Sequence, residues 1–386
     1  MRLHPFFPSL ASLLILAFAT VASAADDGPI EIGAVFNLAG SQAGLDVPSS
    51  NGALLAFDRI NADGGVLGRE FMQIQVAGDS QLSVTRSVME SALIASPSIA
   101  AFIGLSDTDN VRTAATVAKR SNLVFLTSGA TSPQLPAEFP GTVFLACFGD
   151  NVQAAAGAEW AYQTLGARKV HVYADMDLTY PRLLQGYFID SFKALGGTVE
   201  GMERVRPQAS QLTVTAPGDV DLVYVSVETA TDADRMISAL RDAGYNGPVL
   251  GGDGYDDLTA WQQASDLTDI YFTTLVYLGD DHPDERVAAF VSDYRTAFGG
   301  EQPTGFAALG YDAVGLMAAA ITNAGTAAPD KIADGLSQID GYKGVTGDIS
   351  YAGGSQIPLK SVTLVKVDKG AFSFVETVTP TNVPAP

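Results

Sequence analysis

Hydroxyl and carboxyl side chains follow several short apolar runs of this chain, where loops between strands and helices are expected. Residues 127–132 (TSGATS) come directly after the apolar run LVFL. Their hydroxyl groups both donate and accept hydrogen bonds, and Gly129 lets the backbone approach closely, so the stretch suits a small polar ligand. An ordinary turn between a strand and a helix has the same composition, and for this stretch alone the turn is the more common explanation.

Similar groups follow four other apolar runs. In an open α/β sheet, ligands bind beyond the carboxyl ends of the strands. If two lobes face each other, these positions meet at one cleft, where hydroxyls hold a carboxylate and an aspartate pairs with an ammonium group. Asp253, within GGDG, is equally consistent with a turn. The polar positions are Ser106 and Thr108 after IAAFIG, Asp177, Thr179 and Tyr180 after VHVYA, Glu228 and Thr229 after VYVSV, and Asp253 after Val249-Leu250.

Residue patterns of common catalytic and metal sites do not occur. The chain has no G-x-S-x-G, H-E-x-x-H or P-loop pattern, and it contains three histidines and one cysteine. His171 lies within an apolar strand and is predicted to be packed there, and Cys147 is predicted to be a buried, unreactive thiol. We therefore expect no enzyme activity, no metal and no cofactor.

The elements that position these residues alternate between strand and helix along the chain. Runs of strand length with β-branched residues are followed by amphipathic helical segments over two comparable blocks. This alternation predicts two doubly wound parallel-sheet lobes. In the first block, residues 37–50 are predicted to be a polar loop and residues 51–61 a helix. Residues 307–324 form a second helix that is apolar on most faces and is predicted to be buried.

The N-terminus predicts an exported protein, and the net charge limits the partners that it can bind. Arg2, an apolar core at residues 10–18 and Ala-Ser-Ala at residues 22–24 indicate a signal peptide cleaved after Ala24. The apolar core is too short for a membrane-spanning helix. The formal net charge of −21 disfavours nucleic acid and anionic lipid as partners.

Several short motifs occur in an order and spacing typical of one family. They are INADGGVLG (60–68), TSP (131–133), ALGG (194–197), LGGDG (250–254), AALGYDA (307–313) and GVTG (344–347). Together they resemble the periplasmic Leu/Ile/Val-binding proteins, the type I solute-binding components of branched-chain amino-acid ABC transporters. The resemblance implies two Rossmann-like lobes joined by three crossings. The implied lobes are residues 25–149 plus 277–340 and residues 150–276 plus 341–386.

The resemblance also implies a role for individual residues. The α-carboxylate of a bound amino acid would be held by Thr108 and Thr131. The α-ammonium would be held by the carbonyl of Gly129, by Thr131 and by Asp253. Tyr180 corresponds to an aromatic residue of the far wall, and Asp150 to an aspartate near the hinge.

Two positions depart from the family pattern. Thr229, next to Glu228, replaces a second far-wall aromatic residue, and Leu45-Asp46 stands where the family often has an aromatic one. The disulfide that the family often has near the rim of the first lobe is absent, because the chain has a single cysteine. A carboxylate in the pocket, from Asp46 or Glu228, would favour a polar or cationic ligand side chain over leucine.

These observations predict a monomeric periplasmic binding protein. It would capture an α-amino acid, branched-chain-like or polar, and deliver it to the membrane subunits of an ABC permease. The alternatives are a binding protein for an amide, urea, aromatic acid or other organic acid, a ligand-loaded sensor partner, and, less favoured, a periplasmic enzyme.

Overall fold

The computed structural model describes Met1 and residues 28–386, with the exception of Ser265. Apart from Met1, the predicted signal peptide and its cleavage site therefore lie outside the described residues.

The first lobe is built on a five-stranded parallel sheet with the strand order β2-β1-β3-β4-β5. Its central strands β3 and β4 are buried along their whole length, as expected for a parallel sheet covered by helices on both faces. The elements are β1 (Ile30–Asn37), α1 (Ala43–Ala62), β2 (Phe71–Gly78), α2 (Leu82–Ala95), β3 (Ala101–Gly104), α3 (Thr108–Arg120), β4 (Val124–Thr127), α4 (Gln134–Glu138) and β5 (Val143–Leu145).

The second lobe contains a seven-stranded sheet with the order β14-β13-β10-β9-β8-β6-β7. Five of its strands are parallel, and β13 and β14 add an antiparallel edge. The elements from residue 150 to residue 274 are α5 (Asp150–Gln163), β6 (Lys169–Asp175), α6 (Thr179–Ala194), β7 (Thr198–Val205), β8 (Leu222–Ser226), α7 (Ala230–Asp242), β9 (Val249–Gly251), a 3-10 turn (Asp253–Tyr255), α8 (Leu258–Gln263) and β10 (Ile270–Thr274).

After β10 the chain returns to the first lobe before it completes the second. The remaining elements are α9 (Glu285–Ala297), α10 (Gly305–Ala324), α11 (Pro329–Ser337), β11 (Tyr342–Gly344), β12 (Gly347–Ile349), a 3-10 turn (Ala352–Gly354), β13 (Val362–Asp368) and β14 (Ala371–Val378). The chain thus crosses between the lobes three times, at residues 146–149, 275–284 and 350–361.

Helix α10 is the central helix of the first lobe. It is long and apolar enough to cross a membrane by length and composition, but most of it is buried inside the protein. It packs against α1, where a Cβ on Gly52 would collide with the carbonyl of Ala307 and a Cβ on Gly310 with the carbonyl of Ser49. The small residues of both helices therefore permit a close backbone approach, and the predicted burial of this helix is confirmed.

Residues on both sides of the predicted lobe boundary at residue 340 pack in one apolar core. Ile349 and Tyr351 belong to the same apolar core as Ile30 and Ile32 of β1. The Tyr351 hydroxyl also donates to the carbonyl of Leu145 (2.7 Å). We therefore propose that the second lobe resumes only after Tyr351.

Other differences from the sequence predictions concern element ends and exposed strands. Helix α1 begins at Ala43, within the predicted polar loop, because the carbonyl of Gln42 accepts from the N–H groups of Leu45 and Asp46. Pro48 and the polar composition conceal this first turn from a sequence pattern. Strand β7 has no counterpart in the sequence prediction, and its residues alternate between exposed and half-buried along most of its length.

Candidate functional site

The carboxyl ends of the strands of both lobes face one cleft, and side chains cross it. The amide of Gln42 in the first lobe donates to Glu228 in the second (3.1 Å). The Thr179 hydroxyl in the second lobe donates to Asp109 in the first (2.8 Å). These contacts show the two lobes closed on each other.

On the first-lobe side, an unusual turn after β3 fixes the loop that follows β4. Leu105 has a positive φ of 56°, a strained conformation for a branched side chain. Its carbonyl accepts from the Thr127 hydroxyl (2.8 Å) and from the N–H of Gly129 (3.2 Å). The two polar loops are thereby held side by side.

Thr108 begins α3 after β3, and Gly129 lies in the loop that follows β4. Thr108 is 1% exposed, and its hydroxyl has no hydrogen-bond partner among the described residues. A Cβ on Gly129 would lie 2.7 Å from the hydroxyl oxygen of Ser106 and 2.8 Å from the ring of Phe306. Only glycine therefore fits here, and a buried hydroxyl remains available for a ligand.

On the second-lobe side, Tyr180 and Asp253 form a pair. The Tyr180 hydroxyl donates to Oδ1 of Asp253 (2.7 Å), and the amide of Gln153 donates to the same oxygen (2.8 Å). The Gln153 amide also reaches Asp150 (3.1 Å). Burial raises the pKa of Asp253 to about 6 and that of Asp150 to about 8. A cationic group of a ligand placed beside Asp253 and Asp150 would stabilise the ionised forms of these carboxyls.

Asp150 connects the two sides of the cleft. Its backbone N–H donates to the carbonyl of Thr131 (2.7 Å), and its Oδ2 atom has no hydrogen-bond partner within the described ranges. Thr131 itself is 2% exposed. The hydroxyl-rich loop of the first lobe therefore lies beside the buried carboxylates of the second.

A second group of carboxyls, the carboxylate cluster, consists of Asp46, Asp107 and Glu228. Oδ2 of Asp46 accepts from the N–H of Asn37 (2.8 Å), and Asp107 caps α3 by accepting from the N–H of Asn110 (2.6 Å). Burial raises the pKa of Asp46 to about 7. Burial, followed by the negative charge of Asp107, raises the pKa of Glu228 well above its usual range.

The remaining two predicted site residues have partners within the protein. Leu45 belongs to the apolar cluster that also contains Leu105, Ala130 and Phe306. The Thr229 hydroxyl accepts from the N–H of Asp232 (3.2 Å) at the start of α7 and also donates to its carboxylate (3.0 Å). Thr229 thus lines the cleft, but its hydroxyl already forms hydrogen bonds with Asp232.

Polar and charged side chains border an open part of the cleft. It has a volume of about 470 Å³, and its lining includes Gln42, Asp107, Asp109, Glu228 and Thr229. No group of three or more His, Cys, Asp or Glu side chains placed to hold a metal ion occurs in the part of the chain that the structure describes.

Sequence reasoning did not identify two glutamines of this site. Gln42 precedes α1, and Gln153 lies one helical turn after Asp150 on α5. The spacing of Asp150 and Gln153 places both on one helix face, which is the only signal that the sequence carried for Gln153. Cys147, by contrast, is buried as predicted, and His171 packs against Tyr173.

Comparison with known proteins agrees with this architecture. The sequence model of the family described as periplasmic binding protein matches residues 29–371. The Leu/Ile/Val-binding protein BraC3 of Rhizobium johnstonii is 24% identical over 366 residues, which cover 94% of this chain and 96% of that protein. A protein of Pseudomonas aeruginosa named amino acid binding protein is 25% identical over 294 residues, covering 74% of this chain and 76% of that protein.

Solved structures share the fold. The branched-chain amino acid transporter substrate binding protein LivJ of Streptococcus pneumoniae, in complex with isoleucine, has a TM-score of 0.82 and 26% identity, covering 91% of this chain and all of that one. A solute-binding protein of an ABC transporter from Rhodopseudomonas palustris, in complex with 3,4-dihydroxybenzoic acid, has a TM-score of 0.75 and 18% identity, covering 92% and 99%. The chain belongs to the periplasmic binding protein family, and the relatives to which it is similar include proteins named Leu/Ile/Val-binding proteins.

Proposed function

We propose that this protein captures an α-amino acid in the cleft and delivers it to an ABC permease after export and cleavage behind Ala24. The observation that carries the proposal is the facing pair of buried groups: the unpartnered Thr108 hydroxyl in one lobe and the Tyr180–Asp253 pair in the other. The names of the relatives and the isoleucine bound to a protein of the same fold support an amino-acid ligand.

The two sides of the cleft suit the two charges of an amino acid. Hydroxyls at Thr108 and Thr131, beside the close-fitting backbone of Gly129, offer donors to an α-carboxylate. Asp253 and the Gly129 carbonyl offer acceptors to an α-ammonium group. Charge-assisted hydrogen bonds are strong when water is excluded, and a ligand that contacts both lobes stabilises the closed state.

The test replaces Asp253 by asparagine, which preserves size and most hydrogen bonding. The purified protein is unfolded, dialysed and refolded to remove any bound ligand, and the twenty amino acids are screened by thermal shift and then by calorimetry. For the amino acid that binds the wild type, we expect Asp253→Asn to weaken binding roughly 30-fold or more, because truncating one partner of a buried charge pair costs about 2–5 kcal/mol.

The control is Asp330→Asn, at the exposed start of α11. It removes the same charge and should leave the affinity unchanged. An unchanged affinity in Asp253→Asn would contradict the ammonium role. Binding of an aromatic or other organic acid that survives this substitution would instead favour a ligand without an ammonium group. A loaded protein that docks on a receptor uses the same site, so the ligand test applies to both roles.

A further inference from the structure

The carboxylate cluster is assembled from both lobes at the edge of the proposed amino-acid site. Asp46 lies in the first turn of α1 and Asp107 immediately before α3, so both belong to the first lobe. Glu228 follows β8 in the second lobe. The exposed fractions of the three residues are 0%, 7% and 5%, so they form a buried interlobe group rather than a solvated acidic surface.

The polar atoms that stay open on Asp46, Glu228 and the adjoining Gln42 are all acceptors. Oδ1 of Asp46, Oε2 of Glu228 and Oε1 of Gln42 are buried and have no hydrogen-bond partner among the residues described. The orientation of the Gln42 amide is set by its N–H donation to Glu228, which leaves its oxygen as the free end. The carboxyl of Asp46 faces the Ser106 hydroxyl and the Asn37 side chain, whereas Glu228 and Gln42 line the open cleft. The two open acceptors of Glu228 and Gln42 therefore suit a ligand group that carries several N–H donors.

No basic side chain of the protein neutralises the cluster. The nearby arginines have other partners, since Arg112 pairs with Asp109 (2.7 Å) and Arg206 with Asp177 (2.8 Å). Within the described residues, no ion pair involves a member of the cluster. Closing the lobes therefore brings like charges together, unless protons or a ligand compensate for them.

We propose that the carboxylate cluster is the side-chain subsite of the amino-acid site and takes a cationic group, a guanidinium or an ammonium. The proposal rests on the proposed function, in which the groups around Thr108 and Asp253 hold the α-carboxylate and the α-ammonium and thereby direct the ligand side chain toward the cluster. A guanidinium presents five N–H donors and an ammonium three, which is enough to serve the open acceptors of Glu228 and Gln42. An apolar side chain would leave those acceptors buried and unpaired.

The test compares isosteric ligands with and without the charge. L-arginine and its uncharged isostere L-citrulline are titrated calorimetrically into the refolded, ligand-free mature protein at pH 8, together with L-lysine and L-leucine. We expect L-arginine or L-lysine to bind at least about 100-fold more tightly than L-leucine, because a site built for hydrogen bonds strongly rejects a ligand that lacks them. We expect L-arginine also to bind more tightly than L-citrulline.

Two variants test the cluster from opposite lobes. Glu228→Gln and Asp46→Asn should each reduce the affinity ratio of L-arginine to L-citrulline at least tenfold. The matched control, Glu200→Gln, removes an exposed charge of the same lobe on β7 and should preserve the ratio. Melting temperatures of all variants, with and without ligand, separate a lost subsite from a lost fold.

The outcomes separate this proposal from the function on which it rests. Tight binding of L-leucine with no preference for either cationic amino acid would overturn the subsite and keep the amino-acid function. A ratio unchanged in both variants would also overturn the subsite. Binding of agmatine, a guanidinium compound without an α-carboxylate, when no amino acid binds, would support the subsite and contradict the amino-acid function.

Discussion

Replacing Asp46 by asparagine should remove a measurable part of the pH dependence of the stability of the ligand-free protein. Asp46 is fully buried near the start of α1, and asparagine retains an oxygen that can accept the N–H of Asn37. The groups facing it are the Asn37 side chain, the Ser106 hydroxyl and the carboxyl of Asp107. None of these is a cation, so the ionised form of Asp46 has no counter-charge in the folded protein.

The magnitude follows from the pKa of this carboxyl. Burial raises the pKa of Asp46 from 3.8 to about 7, so the folded protein binds a proton that the unfolded chain releases between these values. The resulting stabilisation is fully present below pH 3.8 and is lost as the pH rises through 7. With 1.36 kcal/mol per pKa unit, its contribution should fall by roughly 2–3 kcal/mol between pH 5 and pH 8.

The assay is urea unfolding of ligand-free wild type and Asp46→Asn at pH 5 and pH 8. Other buried carboxyls with raised pKa values, such as Asp150 and Asp256, contribute in both proteins and cancel in the comparison. Asp58→Asn, on the exposed part of the same helix, is the matched control. If the free energy of unfolding falls equally in wild type and Asp46→Asn between the two pH values, the raised pKa of Asp46 is refuted.

Two further predictions concern the head-group side of the cleft. Amino-acid affinity should decrease as the pH falls through 6, because burial raises the pKa of Asp253 to about 6 and an ammonium ligand requires the ionised carboxylate. Calorimetry at pH 5 and pH 8 measures this change, and an equal affinity at both pH values would contradict the prediction. Gly129→Ala should destabilise the protein by about 1–3 kcal/mol and weaken ligand binding, because the added methyl group overlaps Ser106 and Phe306. The control Gly186→Ala lies on α6, where a Cβ meets nothing within 4 Å, and it should neither destabilise the protein nor weaken ligand binding. Urea unfolding and calorimetry of both variants test this contrast.

The arrangement of the lobes could largely be predicted because its signals are local. Apolar runs such as residues 123–126 and 170–174 are buried on both faces of a parallel sheet, so their composition alone indicates a strand. Strand β7 was missed because only one of its residues, Val205, is fully buried and the apolar signal is weak. The first turn of α1 was missed because backbone hydrogen bonds from Gln42, rather than an apolar period, start the helix.

The residues of the candidate site likewise fall into those that the sequence indicated and those that it did not. Thr108, Gly129 and Asp253 could be singled out because each lies at or a few residues beyond the end of a strand. Family motifs also lie next to Gly129 and around Asp253, although the roles of all three toward a ligand stay predictions. Gln42 and Gln153 have no such signal, since each becomes part of the cleft through a residue far away in the chain. Gln42 meets Glu228, 186 positions later, and Gln153 meets Asp253, 100 positions later.

Most strands of the two sheets, and the polar groups at the strand ends, could be predicted because backbone propensity and burial periodicity depend on neighbouring residues. Which of these groups are buried without a partner among the described residues depends on tertiary packing. Whether Asp46 and Glu228 face solvent or each other's lobe depends on how the two lobes close, a relation between segments joined by three separate crossings. That closure turns scattered acidic residues into one buried cluster with open acceptors.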